Sequence, residues 1–294
     1  MKQLLILSGK GGTGKTTVAG AFIRLAQAKA YADCDVDAPN LHLIAGDLPR
    51  PERDDYYGMD KALIDAELCT ECGLCFEHCR FGAIKFDRGY RVDPFACEGC
   101  SVCRLVCPAQ AVTLVPAVGG ELRLYKKDDV VFSTAQLKMG SGNSGLLVTE
   151  VKNRLRGSAW GIPLAIIDGS PGIGCPVHAS LSGVDLVLLV TEPSLSGLSD
   201  LRRIMDTACK FNIRQAACIN KFDTNPELTE EIVRHCEASQ VPVVGKIPFD
   251  PRAHEAVNAG LTIVDVPCAA GDSVRQIFAR TMRYLNSSTE GEVQ

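Results

Sequence analysis

Eight cysteines between Cys69 and Cys107 and one glycine-rich stretch, GKGGTGKT at 9–16, are the parts of this 294-residue sequence best equipped for chemistry. The cysteines spell C-x2-C-x2-C-x3-C twice, as Cys69, Cys72, Cys75, Cys79 and as Cys97, Cys100, Cys103, Cys107. RFGAIKF follows the first copy and PAQAVTLV the second, so the unit is an internal repeat. Three thiolates at this spacing can wrap one iron–sulfur cubane, but the fourth lies too far along the chain to close the same site. Paired CxxC units also hold zinc. Two complete four-cysteine copies favour [4Fe-4S] clusters.

The glycine-rich stretch is Gly9-x4-Gly14-Lys15-Thr16, preceded by the apolar run LLILS. A loop of this kind turns successive backbone N–H groups inward and opens a helix whose N-terminus favours anions. It is the P-loop pattern for nucleotide phosphates. Lys15 would neutralise the β and γ phosphates, and the Thr16 hydroxyl would ligate Mg2+. A phosphate-cleaving site also needs carboxylates to orient water and hold the metal's water shell. DCDVDAPN offers Asp33, Asp35 and Asp37, of which Asp37 doubles as a turn residue before Pro39, and Asp168 ends the apolar strand LAIID.

The elements that must position these residues alternate. Strands are expected at LLILS, LAIID, DLVLLV, AACIN and VPVVGKI, and helices near 15–29, 196–210 and 226–239. Val18, Phe22 and Leu25 fall on one face of the first helix. Continuous apolar strands between helices indicate a parallel sheet covered on both faces. The expected fold is α/β, a doubly wound, mostly parallel sheet, in two stretches at 1–59 and 117–294. A small cysteine-rich α+β domain at 60–116 interrupts it.

Composition excludes other classes. Hydrophobic residues make up 46% and charged residues 22% of the chain, with a formal net charge of -4. That gives no basic footprint for nucleic acid. No apolar run approaches the roughly 20 residues that span a bilayer, and the apolar start lacks a small-residue cleavage site. A cytoplasmic protein with reduced thiols is expected.

The cysteine repeat resembles that of two-cluster bacterial ferredoxins, in which each fourth cysteine ligates the other cluster. The resemblance implies one cluster on Cys69, Cys72, Cys75 and Cys107, and another on Cys97, Cys100, Cys103 and Cys79. Arg80 stands where that pattern often has proline, and His78 is either a cluster-tuning residue or a solvated turn histidine. Lys10, Gly11, Gly12, Thr13, Gly14, Lys15 and Thr16 spell K-G-G-x-G-K-T. This resembles the deviant Walker A ATPases, which include MinD, Mrp and the nitrogenase iron protein, and specifically MinD-superfamily members with an inserted ferredoxin domain.

The resemblance implies ATP and Mg2+ held by Gly9 to Thr17, with Thr17 inside the loop's helix. It implies a homodimer or a heterodimer with a related ATPase, in which Lys10 reaches the partner's phosphates. It makes DCDVD switch I, with Asp35 the water-positioning carboxylate, and DGSPGIG switch II, with Asp168 on the metal. Asn220 and the Pro248, Phe249, Asp250 loop would meet adenine. Lys221 and Asp223 also match the guanine-reading N-K-x-D motif. Cys175, seven residues after Asp168, falls where the nitrogenase iron protein ligates its bridging cluster, although a free buried cysteine is the simpler reading. The other lone cysteines read as packing residues.

Three functions are open at this level: an ATP-driven relay serving a redox or iron–sulfur partner, a cluster carrier, and a spatial organiser. The carrier would need a C-terminal C-x-C or C-x-x-C pair, which does not follow Cys107. The organiser would need a membrane helix, whereas Val274, Ile277, Phe278 and Met282 read as a sheet-packing stripe. GSGNSGLLVTEVKNRLR at 140–156 reads as a turn feeding a helix with no assigned chemistry, and a polar tail is expected from Ser287.

Overall fold

The computed structural model describes residues 1–44, 46 and 48–287, so 288–294 of the expected tail lie outside the described residues. The chain opens with β1 (Lys2–Leu7), α1 (Lys15–Ala26), β2 (Ala30–Asp33) and β3 (Glu52–Tyr57). Next come β4 (Lys61–Ile64), α2 (Leu74–Glu77), β5 (Ile84–Phe86), β6 (Tyr90–Val92), α3 (Val102–Leu105) and β7 (Val112–Val115). Then β8 (Val118–Lys127), β9 (Val130–Leu137), α4 (Ser144–Ser158), β10 (Leu164–Asp168), α5 (Cys175–Leu181), β11 (Leu186–Thr191) and α6 (Leu195–Lys210) follow. The chain closes with β12 (Arg214–Asn220), α7 (Pro226–Ala238), β13 (Val243–Ile247), α8 (Arg252–Asn258) and α9 (Ala269–Asn286).

Among the described residues nine strands form one sheet in the order β13-β12-β11-β1-β10-β2-β9-β8-β3. From β13 to β9 all neighbours are parallel, which requires helical crossovers and buries both faces. Side chains alternate accordingly along β1. Leu5 and Leu7 join one core with Leu147 and Val151 of α4 and Leu201 of α6. Leu4 and Ile6 join the other with Val18 and Phe22 of α1 and Val274 and Ile277 of α9. Phe278 meets Phe22 edge-on at 5.1 Å, so the C-terminal apolar stripe is spent on packing. Among the described residues no helix is long and apolar enough to cross a membrane.

Two features differ from the expectation. Helix α1 stops at Ala26 rather than near 29, because Gln27 turns left-handed (φ 46°) and its N–H closes on Arg24 and Ile23. The far edge of the sheet is antiparallel, with β8 pairing against β9 and β3 against β8. The sequence reading assigned no strand to these stretches. Edge strand β3, ERDDYY, is charged and mostly exposed, the protection an edge strand needs against further pairing.

Between β3 and β8 lie two separate two-stranded sheets, β4 with β7 and β5 with β6. Their small core gathers Ala62, Ala83, Cys97 and Val112, with Cys79, Cys103 and Cys107 packed against it.

Candidate functional site

The turn after β1 sets the geometry. Gly12 (φ 80°) and Gly14 (φ 91°) take left-handed conformations that suit glycine. A side chain at Gly9 would overlap Asp200, and one at Gly14 would overlap the Asn220 amide. The loop is therefore packed closely from outside while its inner face stays open. A cleft of about 440 Å³ follows, lined by Gly11, Gly12, Gly14, Lys15, Thr16 and Thr17 on one side and by Asp35, Asn220, Pro248, Phe249 and Asp250 on the other. Gly9, Lys10, Thr13 and Asp168 do not line it.

Lys15 Nζ lies 2.5 Å from Asp168 Oδ1 and 3.4 Å from Thr16 Oγ1. Burial alone would depress the Lys15 ammonium, but the Asp168 carboxylate, helped by Asp33 and Asp35, outweighs it and holds the pKa above the ordinary lysine value. Asp168 is fully buried at the end of β10, and among the described residues its Oδ2 has no hydrogen-bond partner. A buried carboxylate oxygen left over is costly. Beside a phosphate loop and the Thr16 hydroxyl it is a ready ligand, direct or through water, for a hard cation such as Mg2+.

The aspartates of DCDVD divide the labour. Asp33 is buried and accepts the N–H groups of Asp35, Asn40 and Leu41 at 3.0, 2.9 and 2.9 Å, fixing the turn after β2. Burial first, then the charge of Asp168, raises its pKa to about 7 against Lys15 and those donors. Asp35 reaches the cleft, also raised chiefly by burial while Lys15 opposes. Asp37 is exposed and its carbonyl accepts Gln136, the turn role.

Lys10 points along its own subunit. Its Nζ bonds Glu192 Oε1 at 2.7 Å, Ser194 Oγ at 3.0 Å and Ser196 Oγ at 2.9 Å. Lys221 grips the other Glu192 oxygen at 3.2 Å and the Gly12 carbonyl at 3.3 Å. Glu192 therefore ties both lysines beside the loop. Sequence reasoning gave it no role, although a carboxylate closing the apolar run LVLLVT was the signal. Asn220 donates to Thr13 O at 2.7 Å and accepts Lys221 N–H at 3.0 Å. Asp250 is held by Arg252, whose Nε and Nη2 both lie 3.0 Å from it, and this hydrogen bonding keeps its carboxyl below the usual range.

The clustered cysteines sort into two pockets. Cys69, Cys72, Cys75 and Cys107 line one, walled by Ile64, Ala111 and Val112. Cys79, Cys97, Cys100 and Cys103 line the other, walled by Ala62, Ile84 and Val92. Each pocket takes its fourth thiol from the other copy of the repeat. Among the described residues no three His, Cys, Asp or Glu side chains are grouped to hold a single metal ion. Four thiols in an apolar wall fit the donor set of a cubane, and Cys107 Sγ also accepts the Ala111 N–H at 3.3 Å.

His78 is exposed and bonds the Leu74 carbonyl at 2.9 Å, which agrees with the solvated turn histidine of the two readings. Two readings are corrected. Cys175, expected to be buried, is exposed at the start of α5, and Cys209 is exposed rather than packed. Cys34, Cys218, Cys236 and Cys268 are buried.

Comparison with known proteins agrees with the loop and sheet. An uncharacterized protein of Methanocaldococcus jannaschii is 27% identical over 298 aligned residues, 96% of this chain and 97% of that one. The iron-sulfur cluster carrier protein of Pyrococcus abyssi is 25% identical over 292, covering 91% and 81%. Pyruvate synthase subunit PorD of M. jannaschii is 35% identical over 57 residues, 19% of this chain and 66% of PorD. Among solved structures, MinD of Pyrococcus furiosus has a TM-score of 0.57 at 18% identity, covering 96% and 99%. MinD of Pyrococcus horikoshii, complexed with Mg-ADP, has 0.57 at 17%, covering 99% of both chains. Such structural likeness carries the fold. Residues 4–263 match the CobQ/CobB/MinD/ParA nucleotide binding domain, and the chain belongs to that P-loop family.

Proposed function

We propose that this protein is an ATP-binding and ATP-hydrolysing iron–sulfur protein in which nucleotide state governs how two [4Fe-4S] clusters exchange electrons with, or dock on, a partner. The observation that carries the reading is the sorting of eight cysteines into two crossed quartets on a chain that also holds a phosphate loop. In this reading residues 60–116 are a ferredoxin-like module set into the nucleotide-binding fold.

The residues divide the work as follows. Backbone N–H groups of Gly11 to Thr17 and the Lys15 ammonium take the phosphates, which replace Asp168 as the partner of Lys15. Thr16 and Asp168 hold Mg2+, which neutralises charge on the β and γ phosphates when bound. Asp35, already at the cleft wall, orients the attacking water. Lys10 exchanges Glu192 for the phosphates of a second subunit when a homodimer, or a heterodimer with a related ATPase, forms.

Adenine is favoured over guanine. A guanine reader needs a free aspartate after its Asn-Lys pair, yet Asp223 Oδ1 already accepts the Phe249 N–H at 2.8 Å and Lys221 is engaged by Glu192. Asn220 and the Pro248 to Asp250 loop then flank the base.

Anaerobic purification tests the proposal. About eight irons per chain, retained through chelator treatment, together with Mg2+-dependent ATP binding, support the relay. A folded protein free of iron, or one without affinity for ATP, overturns it. The similarity to the P. abyssi carrier motivates a second reading, in which the clusters pass readily to an apo acceptor.

A further inference from the structure

We propose that residues 136–145, the segment leaving β9 and entering α4, mechanically couple the nucleotide cleft to one of the two cysteine quartets, that of Cys79, Cys97, Cys100 and Cys103. This rests on the reading of the cleft and quartets given above. Three contacts along ten residues carry the inference.

The segment begins on the loop that holds the cleft carboxylate Asp35. Leu137 N–H bonds the Val36 carbonyl at 2.8 Å, and Gln136 Nε2 bonds the Asp37 carbonyl at 3.1 Å. These bonds tie the start of the segment to the two residues that follow Asp35.

Its middle supports the cysteine loop. A methyl group at Gly140 would lie 3.4 Å from the Phe95 ring, and one at Gly142 would run into the Glu98 carboxylate. Phe95 and Glu98 bracket Cys97, so the residues flanking that thiol rest on backbone stripped of side chains. The same loop is held from the other side by Lys61 Nζ, which donates to the Cys97 carbonyl, and by the close approach of Gly99 to the Asp60 carbonyl. Both quartets have exposed neighbours, Leu68, Cys72 and Phe76 at one and Phe95 and Cys100 at the other, so what sets the Cys97 quartet apart is its approach to Gly140 and Gly142.

Its end meets the turn after Asp168. Gly145, in the first turn of α4, sits where a methyl would lie 3.0 Å from Cys175 Cβ and 3.1 Å from the Cys175 carbonyl oxygen. Cys175 follows the glycine turn 169–174 that is tied back to the phosphate loop by Gly172 N–H on the Ser8 carbonyl at 3.1 Å. The two ends of the 136–145 segment thus touch the two cleft loops. The close contact of Gly145 on Cys175 is of the kind that moves in discrete steps rather than deforming smoothly.

Coupling of this kind is reciprocal. The test measures the affinity of the anaerobic, cluster-loaded protein for a nonhydrolysable Mg-ATP analogue, with the clusters oxidised and then reduced by dithionite. Wild-type protein is expected to show about a fivefold or larger difference. Phe95→Ala/Glu98→Ala, with its iron intact, should bind both ways equally, whereas Phe86→Ala on the outer face should keep the difference. Hydrogen exchange on the wild type needs no variant: the analogue should alter exchange at 136–145 and 94–101 but leave 69–79 unchanged. Equal affinities in the wild type, a difference that survives in the double variant, or exchange changes confined to the cleft loops would overturn the coupling while leaving the ATPase and cluster assignment standing. Protein without iron or nucleotide binding removes both.

Discussion

Lys15 and Asp168 share a buried ion pair at 2.5 Å, and the arrangement is expensive to break from one side only. Asp168→Ala leaves a buried ammonium with no adequate counter-charge, and ligand-free stability in urea should fall by about 3–5 kcal/mol. Lys15→Met with Asp168→Leu removes both charges and should restore most of that loss while abolishing nucleotide binding, which separates folding from function. Asp33 supplies a pH signature. Its carboxyl is raised to about 7 by burial and by Asp168. Between the ordinary aspartate value and about 7 the folded chain keeps a proton that the unfolded chain releases, so this stabilisation is full at low pH and is lost as pH rises through about 7. Melting temperatures of metal-free protein from pH 5 to pH 8 should show that decline, flattened in Asp33→Asn. At this scale the sequence exposed what lies within one motif, namely Lys15, Thr16 and the cysteine spacing. It did not expose Glu192 as the holder of Lys10, because Lys10 meets the same loop across 184 positions at Ser194.

Among the elements, the β8–β9 hairpin is one that periodic apolarity failed to reveal. β9 carries Phe132, fully buried and stacked between Tyr31 at 4.9 Å and Tyr125 at 5.2 Å, so the hairpin belongs to the same core as the parallel strands. Phe132→Ala should cost about 3–5 kcal/mol and lower a single cooperative urea transition rather than split it. The parallel strands β1, β10, β11, β12 and β13 were legible because burial on both faces demands continuous apolar runs such as LVLLVT, whereas the short parallel strand β2 was missed. Strand β3 was not legible, since an edge strand satisfies its outer face with charge and reads like a loop. The small strands β4 to β7 were equally hidden, because pockets walled by cysteine and a few aliphatic residues need little apolar sequence.

For the whole molecule the crossing of the quartets is the sharpest prediction. Cys107→Ser should damage the cluster of Cys69, Cys72 and Cys75, although Cys107 belongs to the second copy, and should lower iron from about eight toward about four per chain, with Cys79→Ser damaging the opposite site. Reading each copy as self-contained predicts the reverse, and paramagnetic spectra of the two variants would decide. The entry and exit of the cysteine-rich stretch also lie side by side, since Tyr57 pairs with Val118 on the sheet edge and Lys61 pairs with Val115 just beyond it. Replacing 58–117 by a two-residue turn would therefore convert β3 and β8 into an ordinary hairpin, leaving a shorter ATPase that keeps its sheet. In the proposed reading the cysteine-rich stretch is a cassette plugged into a socket at the margin of the fold, and its removal would isolate what the nucleotide-binding part does when it has no electrons to command.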